Sequence, residues 1–366
     1  MKAICGRKDL FEGVQTAGRA VSSRSSLPIL GHLLIRSEED HLRIAATDLE
    51  IGMECSVESN VQEHGCLTAP ARILTEVLSA LPDADVVISV DESNVVNLKC
   101  GVSEYTILGL PAEDFPMLPD VKDDVSFKIE KATLRQGIHK TIFAVSAEEA
   151  RPQLTGILLL LEEGGIKLVS TDTHRLCRQD MSITQGRGEA QAIVPGRAMA
   201  ELSRLLTSDE GELSVNVSPS QILFDMPDVR LVSRLIEGQF PNYERVIPAE
   251  HDRKLTLPTA DFLQAMRRAA IVARENSNRA VLRTVDGKLV VTAESGSVGK
   301  AYEEVEVVKE GEDVEMAFNA KYLLDVLGVM DAEAVELELT GSLSPGVVKG
   351  QGADDYLYVV MPMQIT

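Results

Sequence analysis

Ala69-Pro70-Ala71-Arg72-Ile73-Leu74-Thr75-Glu76-Val77-Leu78 decides the fold of this chain, because the phrase returns twice in altered form. The second copy is Val194-Pro195-Gly196-Arg197-Ala198-Met199-Ala200-Glu201-Leu202-Ser203, and the third is Phe318-Asn319-Ala320-Lys321-Tyr322-Leu323-Leu324-Asp325-Val326-Leu327. Each copy puts a basic residue (Arg72, Arg197, Lys321) at the same point, and apolar residues follow at helical spacing. Leu74, Val77, Leu78 and Leu81 give the i, i+3, i+4, i+7 pattern of a helix with one buried face. Such internal similarity at a fixed order is the mark of a repeated unit.

Upstream of each phrase the sequence predicts a strand with an acidic end: Leu42 to Asp48, Ile166 to Asp172 and Leu289 to Glu294. Asp48 to Arg72 is 24 residues, Asp172 to Arg197 is 25 and Glu294 to Lys321 is 27. Each unit opens with a second amphipathic helix. Its apolar stripe is Leu10, Val14, Ala17 and Val21 in the first unit, and Leu134, Ile138, Thr141 and Val145 in the second. In the third it is Phe262, Met266, Ala269 and Val272. Basic residues decorate all three helices: Lys8 and Arg19, Arg135 and Lys140, and Arg267, Arg268 and Arg274. Period-two alternation at Leu49, Ile51, Met53, Cys55 and Val57, and again at Val86, Ile88 and Val90, predicts half-buried strands. Pro-containing exits place linkers near 119–126 and 248–255. The expectation is an α+β chain of three repeated domains, 1–120, 127–247 and 254–366, each an antiparallel sheet with two helices.

Composition bounds the function. The chain has 366 residues, room for two to four domains. Only 4% of residues are aromatic, with no Trp, so the cores are expected to be aliphatic. No apolar run is long enough to cross a membrane, and the first residues lack a signal peptide's apolar segment. The five cysteines are scattered, with no CxxC pair, which argues against a disulfide framework or zinc site and for a reducing, cytoplasmic setting. The net charge of −21 counts against nucleic-acid binding only if the 36 basic residues are spread evenly, because screening confines charge effects to about 8–10 Å.

The sequence holds no phosphate-binding loop, dinucleotide fingerprint, HExxH or GxSxG. The one tempting cluster is Thr171-Asp172-Thr173-His174-Arg175, where Asp172 and His174 could form an acid–base pair or ligate a metal. The blander alternative is an aspartate that hydrogen-bonds the backbone of its own turn. No catalytic residue, metal or cofactor is therefore expected.

Several motifs resemble one family across the whole chain. They are Ser26-Leu27-Pro28-Ile29-Leu30-Gly31, Leu110 to Pro116, Thr171 to Leu176, Glu237 to Pro248, and the terminal Tyr358-Val359-Val360-Met361-Pro362-Met363. In order and spacing they are similar to the bacterial DNA polymerase III beta subunit, the sliding clamp family. The resemblance implies a head-to-tail homodimer whose six domains close into a ring around duplex DNA. A clamp loader would place the ring. The polymerase III alpha subunit, other polymerases and repair proteins would dock by short peptides. Read by position, with basic residues heading the repeated helix phrases, Arg24, Arg72, Arg197 and Arg204 are the candidate DNA contacts. The resemblance implies a dimer interface at Tyr105, Ile107, Leu108, Ile271 and Val272. It implies a peptide pocket at Leu154, Thr171, Thr173, His174, Arg175, Leu176, Pro241, Arg245, Val246, Leu343, Val359, Met361, Pro362 and Met363. Leu343 is expected in the aliphatic floor, and His174 and Arg175 at the rim. The chain departs from the family pattern at Thr173, where glycine is usual, and at Pro345, where serine is common. Gln364-Ile365-Thr366 lacks a basic residue common at the pocket rim. Two rival functions are an acidic scaffold that binds peptides but not DNA, and a hydrolase built on Asp172 and His174.

Overall fold

The computed structural model describes residues 1–22, 27–122, 125–207 and 210–365. Among them are six α-helices: α1 (Arg7–Ala17), α2 (Ala71–Ala80), α3 (Lys131–Thr141), α4 (Gly196–Leu205), α5 (Thr259–Ala273) and α6 (Ala320–Leu327). The repeated phrase forms α2, α4 and α6. In each copy a strand (Cys66–Pro70, Ala190–Pro195, Glu315–Asn319) runs straight into the helix. Pro70 and Pro195 suit that junction, since proline ends a strand's hydrogen bonding and its fixed φ leads into a first helical turn. Asn319 instead caps α6, accepting the Lys321 N–H at 3.0 Å.

The leading helices bury their expected stripes: Leu10, Val14 and Ala17; Leu134, Ile138 and Thr141; Phe262, Met266 and Ala269. Val21 and Val145 fall outside them, because α1 and α3 tighten into 3-10 turns at Gly18–Ala20 and Ile142–Ala144. The seventh residue of each is small: Gly13, Gly137 and the buried Ala265. A Cβ at Gly13 would overlap Val57, and one at Gly137 would overlap Met181. At Gly13 the neighbour is a stiff β-branched side chain on the strand, so close approach of helix to strand fixes the glycine there; at Gly137 it is the flexible end of Met181.

The chain groups into two compact units that cut across the three repeats. Unit 1 comprises 1–131, 184–188 and 201–235; unit 2 comprises 132–183, 189–200 and 236–366. The physical reason is strand pairing across the repeats. In unit 1, Ile51–Glu58 pairs antiparallel with Val229–Arg234, with Met53 opposite Leu231, inside a nine-stranded sheet. A five-stranded sheet completes that unit, and α1 packs on α2 and on Ile51–Glu58. In unit 2, Arg175–Ser182 pairs antiparallel with Tyr356–Val360, with Leu176 opposite Val359, inside a second nine-stranded sheet. A four-stranded sheet accompanies it, and α5 packs on α6 and on that sheet. The cores are mainly aliphatic, with Phe224, Phe262, Phe318 and Tyr358 fully buried among them.

Two strand-end expectations need correction. Leu49 is not in the half-buried strand; it precedes Ile51–Glu58 in a turn at φ 78° and is exposed. Glu294 does not end its strand, which runs Lys288–Ser295. The turn hydroxyl there is Ser295, which accepts the Ser297 N–H, and Glu294 is instead paired with Lys300 on the neighbouring strand. The residue after this hydroxyl is Gly296 where the other two copies have Asp48 and Asp172, so no acid holds the turn backbone.

Candidate functional site

The residues Thr171 to Arg175 form a turn whose geometry is local. Thr171 Oγ1 donates to the Arg175 carbonyl at 2.6 Å and accepts the Thr173 N–H at 3.1 Å. Asp172 Oδ1 accepts the N–H groups of His174 and Arg175 at 3.0 and 3.1 Å. Thr47 and Asp48 make the same four bonds in the first repeat, to Ile51, Leu49, Glu50 and Ile51. The aspartate therefore holds turn backbone, as the blander alternative had it. Its other oxygen takes Arg175 Nε at 2.9 Å. The His174 ring lies over Tyr322, centroids 6.5 Å apart and interplanar angle 23°, and no hydrogen bond joins it to Asp172 among the described residues. That removes the hydrolase reading. Among the described residues no cluster of His, Cys, Asp and Glu could hold a metal ion.

This turn forms one end of a groove of about 170 Å³ within unit 2. Leu154, Thr171, Thr173, Arg175, Leu176, Pro241, Val246, Val359 and Met361 line it, as expected, together with Tyr243, which sequence reasoning missed. Leu154 comes from a single turn, Pro152–Leu154, and Tyr243 and Val246 from another, Tyr243–Val246. The floor is the top of an apolar cluster that includes Leu154, Leu158, Val169, Leu176, Phe240, Tyr243 and Val359. Beyond the last strand, Met361 N donates to the His174 carbonyl at 2.9 Å, so the pairing of the two strands extends by one residue to the groove's edge. Burying one aliphatic side chain here is worth about 1.5–3 kcal/mol.

The remaining five pocket candidates lie outside the groove. Arg245 is exposed, and His174 faces Tyr322. Leu343 is 79% exposed, so it is no part of an aliphatic floor. Met363 is drawn away to the Glu315–Asn319 strand, its N–H donating to the Ala317 carbonyl at 2.7 Å, and Pro362 leads into that bridge.

Arg175 is not at a rim. Its side chain is 6% exposed, with Nη1 on Asp325 Oδ2 at 2.6 Å and Nη2 on the Phe143 carbonyl at 2.5 Å. Its guanidinium carbon sits 4.4 Å from the Tyr322 ring centroid and 5.4 Å from that of Phe143. Burial works against the charge, but the hydrogen bond to Asp325, the fields of Tyr358 and Asp172, and the hydrogen bond to Asp172 outweigh it and hold the guanidinium's pKa above its ordinary value. Each of its three nitrogens donates to an inward partner, so the side chain is held as part of the groove wall.

Arg24 lies outside the described residues. Arg72, Arg197 and Arg204 are exposed, Arg72 reaching Glu76 at 3.6 Å and Arg204 pairing with Glu201. Arg72, Arg197 and Lys321 each occupy the second position of their helix, where a cation faces the positive end of the macrodipole. The cost is about 0.3–1 kcal/mol each, and the chain bears it three times.

Of the interface candidates, Tyr105, Leu108 and Ile271 are exposed, at 39%, 74% and 65%. The Ile107 side chain is 7% exposed and packs within its own unit, so Ile107 could meet a partner only through its backbone. Val272 packs partly against the core of unit 2. The strand Ser103–Leu108 borders its sheet, and Gly299–Glu306 borders the four-stranded one, each with one edge unpaired among the described residues.

Three family models match the chain: the N-terminal domain of the DNA polymerase III beta subunit over 1–119, its central domain over 128–242 and its C-terminal domain over 244–364. A beta sliding clamp from Staphylococcus aureus is 31% identical over 356 residues, covering 94% of each chain. The crystal structure of a DNA polymerase sliding clamp from Bacillus subtilis superposes with TM-score 0.97 at 28% identity, covering both chains fully. A sliding clamp from Pseudomonas aeruginosa bound to griselimycin has TM-score 0.96 at 34% identity, again over both full chains.

Proposed function

Because the chain belongs to the bacterial DNA polymerase III beta subunit family, the sliding clamps, we propose that two copies close head to tail into a ring that encircles duplex DNA. The chain is a processivity factor and not an enzyme: it acts by staying on DNA while a polymerase works. A closed ring cannot leave sideways, so weak phosphate contacts blind to sequence suffice and sliding stays fast. The exposed cations Arg72, Arg197 and Lys321 support this reading, since each repeats at the second position of its helix although the macrodipole there disfavours a cation. In that reading the chain is divided near 1–120, 127–247 and 254–366, and it works in the cytoplasm, where its DNA lies. Among the described residues no helix is long and apolar enough to cross a membrane.

Ring closure would add the Ser103–Leu108 edge of one protomer to the Gly299–Glu306 edge of its partner, with Tyr105, Leu108 and Ile271 covering the joint. The apolar groove is the observation that carries the tethering role. It suits a short peptide with two or three apolar anchors, bound at around micromolar, about −8 kcal/mol. Polymerase III alpha subunit, clamp loader and repair proteins are the proposed sources of such peptides. Retention on nicked circular DNA, compared with the same DNA linearised, tests the ring. Loss on linearisation is expected, and equal retention on both forms refutes encirclement. Tight, sequence-specific binding to a short linear duplex would also refute it.

A further inference from the structure

Asp325 sits on α6 at the fourth position after Lys321 and serves two cations with one oxygen. Its Oδ2 accepts from Lys321 Nζ at 2.9 Å and from Arg175 Nη1 at 2.6 Å. Lys321 is largely exposed, while Arg175 is buried in the groove wall. Asp172, the other carboxylate on Arg175, has one oxygen committed to the turn, so it moves only if the turn does. Asp325 is the adjustable partner. The matching acid of the first repeat behaves differently: Glu76 is 62% exposed and reaches Arg72 only at 3.6 Å.

We propose that Asp325 is a positioning residue for the groove, holding the Arg175 wall in place, and that Lys321 tunes the hold by competing for the same oxygen. A hydrogen bond to two cations is divided between them. Removing the exposed cation leaves the oxygen wholly to Arg175 and stiffens the wall. Removing the carboxylate charge leaves a buried guanidinium with one counter-ion fewer and loosens it. The two substitutions therefore act in opposite directions. A merely structural ion pair would weaken the protein in both. The affinity part of this inference rests on the peptide-binding reading of the groove.

The test uses the full-length protein and a fluorescent peptide with a glutamine and a terminal Leu-Phe pair. Asp325→Asn is expected to weaken binding about tenfold, as loss of a charged hydrogen bond does. Lys321→Met is expected to tighten it about twofold. Folded Asp325→Asn with wild-type affinity overturns the proposal. If Asp325→Asn fails to fold, Lys321→Met decides: tightening supports it, and unchanged or weaker binding overturns it. A second readout needs no peptide. In arginine-¹⁵N-labelled protein, the Arg175 Nη–H signals should be resolved by slow rotation, sharpen in Lys321→Met and vanish in Asp325→Asn. If the wild type binds no peptide, the proposed function of the groove fails while these signals still judge Asp325. Identical signals in wild type and Lys321→Met would then refute it.

Discussion

Thr173→Gly is expected to make the protein more stable. Thr173 is a β-branched residue at φ 78°, in the left-handed region that L-residues avoid. The surrounding bonds force it there: its own N–H is held by Thr171, and Asp172 holds the next two N–H groups. Left-handed backbone costs an L-residue roughly 1–2 kcal/mol. Glycine removes that strain but adds unfolded-state entropy worth about 0.5–1 kcal/mol. The net gain is about 0.5–1 kcal/mol, or roughly 1–4 °C in Tm for a unit of this size. No hydrogen bond is lost, since all those of the turn run through Thr171, Asp172 and backbone. Differential scanning calorimetry of the full chain reads the shift, and urea midpoints repeat it. Thr173→Ala, which keeps the strain, should stay within about 0.5 kcal/mol of wild type. Leu49→Gly, at the same φ in the first repeat and also exposed, should share the sign. A Thr173→Gly protein destabilised by 1 kcal/mol or more would show that the backbone strain argument is wrong.

At pH 8, iodoacetamide should label exposed Cys66 quickly and spare Cys5, Cys55 and Cys177 until unfolding, because burial pushes those three thiols up to about 12; prompt labelling of all five would refute this. The same thiols, with Tyr356 and Tyr358 also raised by burial, are protonated in the fold well above their unfolded pKa values. Their contribution to stability is therefore complete below about pH 9 and is lost as pH rises toward 12, so urea midpoints should fall steadily over that window and not below it. Val246→Ala, at a 43% exposed position on the groove's edge, should weaken the peptide about fivefold while leaving the urea midpoint unchanged. Arg72→Ala should lower the salt dependence of DNA binding by roughly one phosphate contact, a slope change of about 0.9, with folding intact; an unchanged slope would remove Arg72 from the DNA surface.

What the sequence could determine was local or periodic. Helix phase is written every three or four residues, so α2, α4, α5 and α6 were legible from their apolar stripes, and α1 and α3 up to their last turns. The Asp172 turn was legible because its hydrogen bonds reach only two and three residues along the chain. Nine of the ten groove residues were identified, on motifs whose family resemblance carried their spacing. Other features depended on partners far away in sequence. Alternation reveals which face of a strand is buried but not what lies beside it, so pairing across the repeats, and hence two compact units, came only with the fold. Ile107 turned inward and Leu343 outward by sheet register and loop path, neither of which leaves a mark in a short window. Tyr243 joined the groove because its ring packs into an apolar cluster drawn from distant parts of the chain. Arg175 found Asp325 at a separation of 150 residues. A charged side chain announces that it needs a partner, but only the packed chain selects which one, because the choice is made by distance and desolvation.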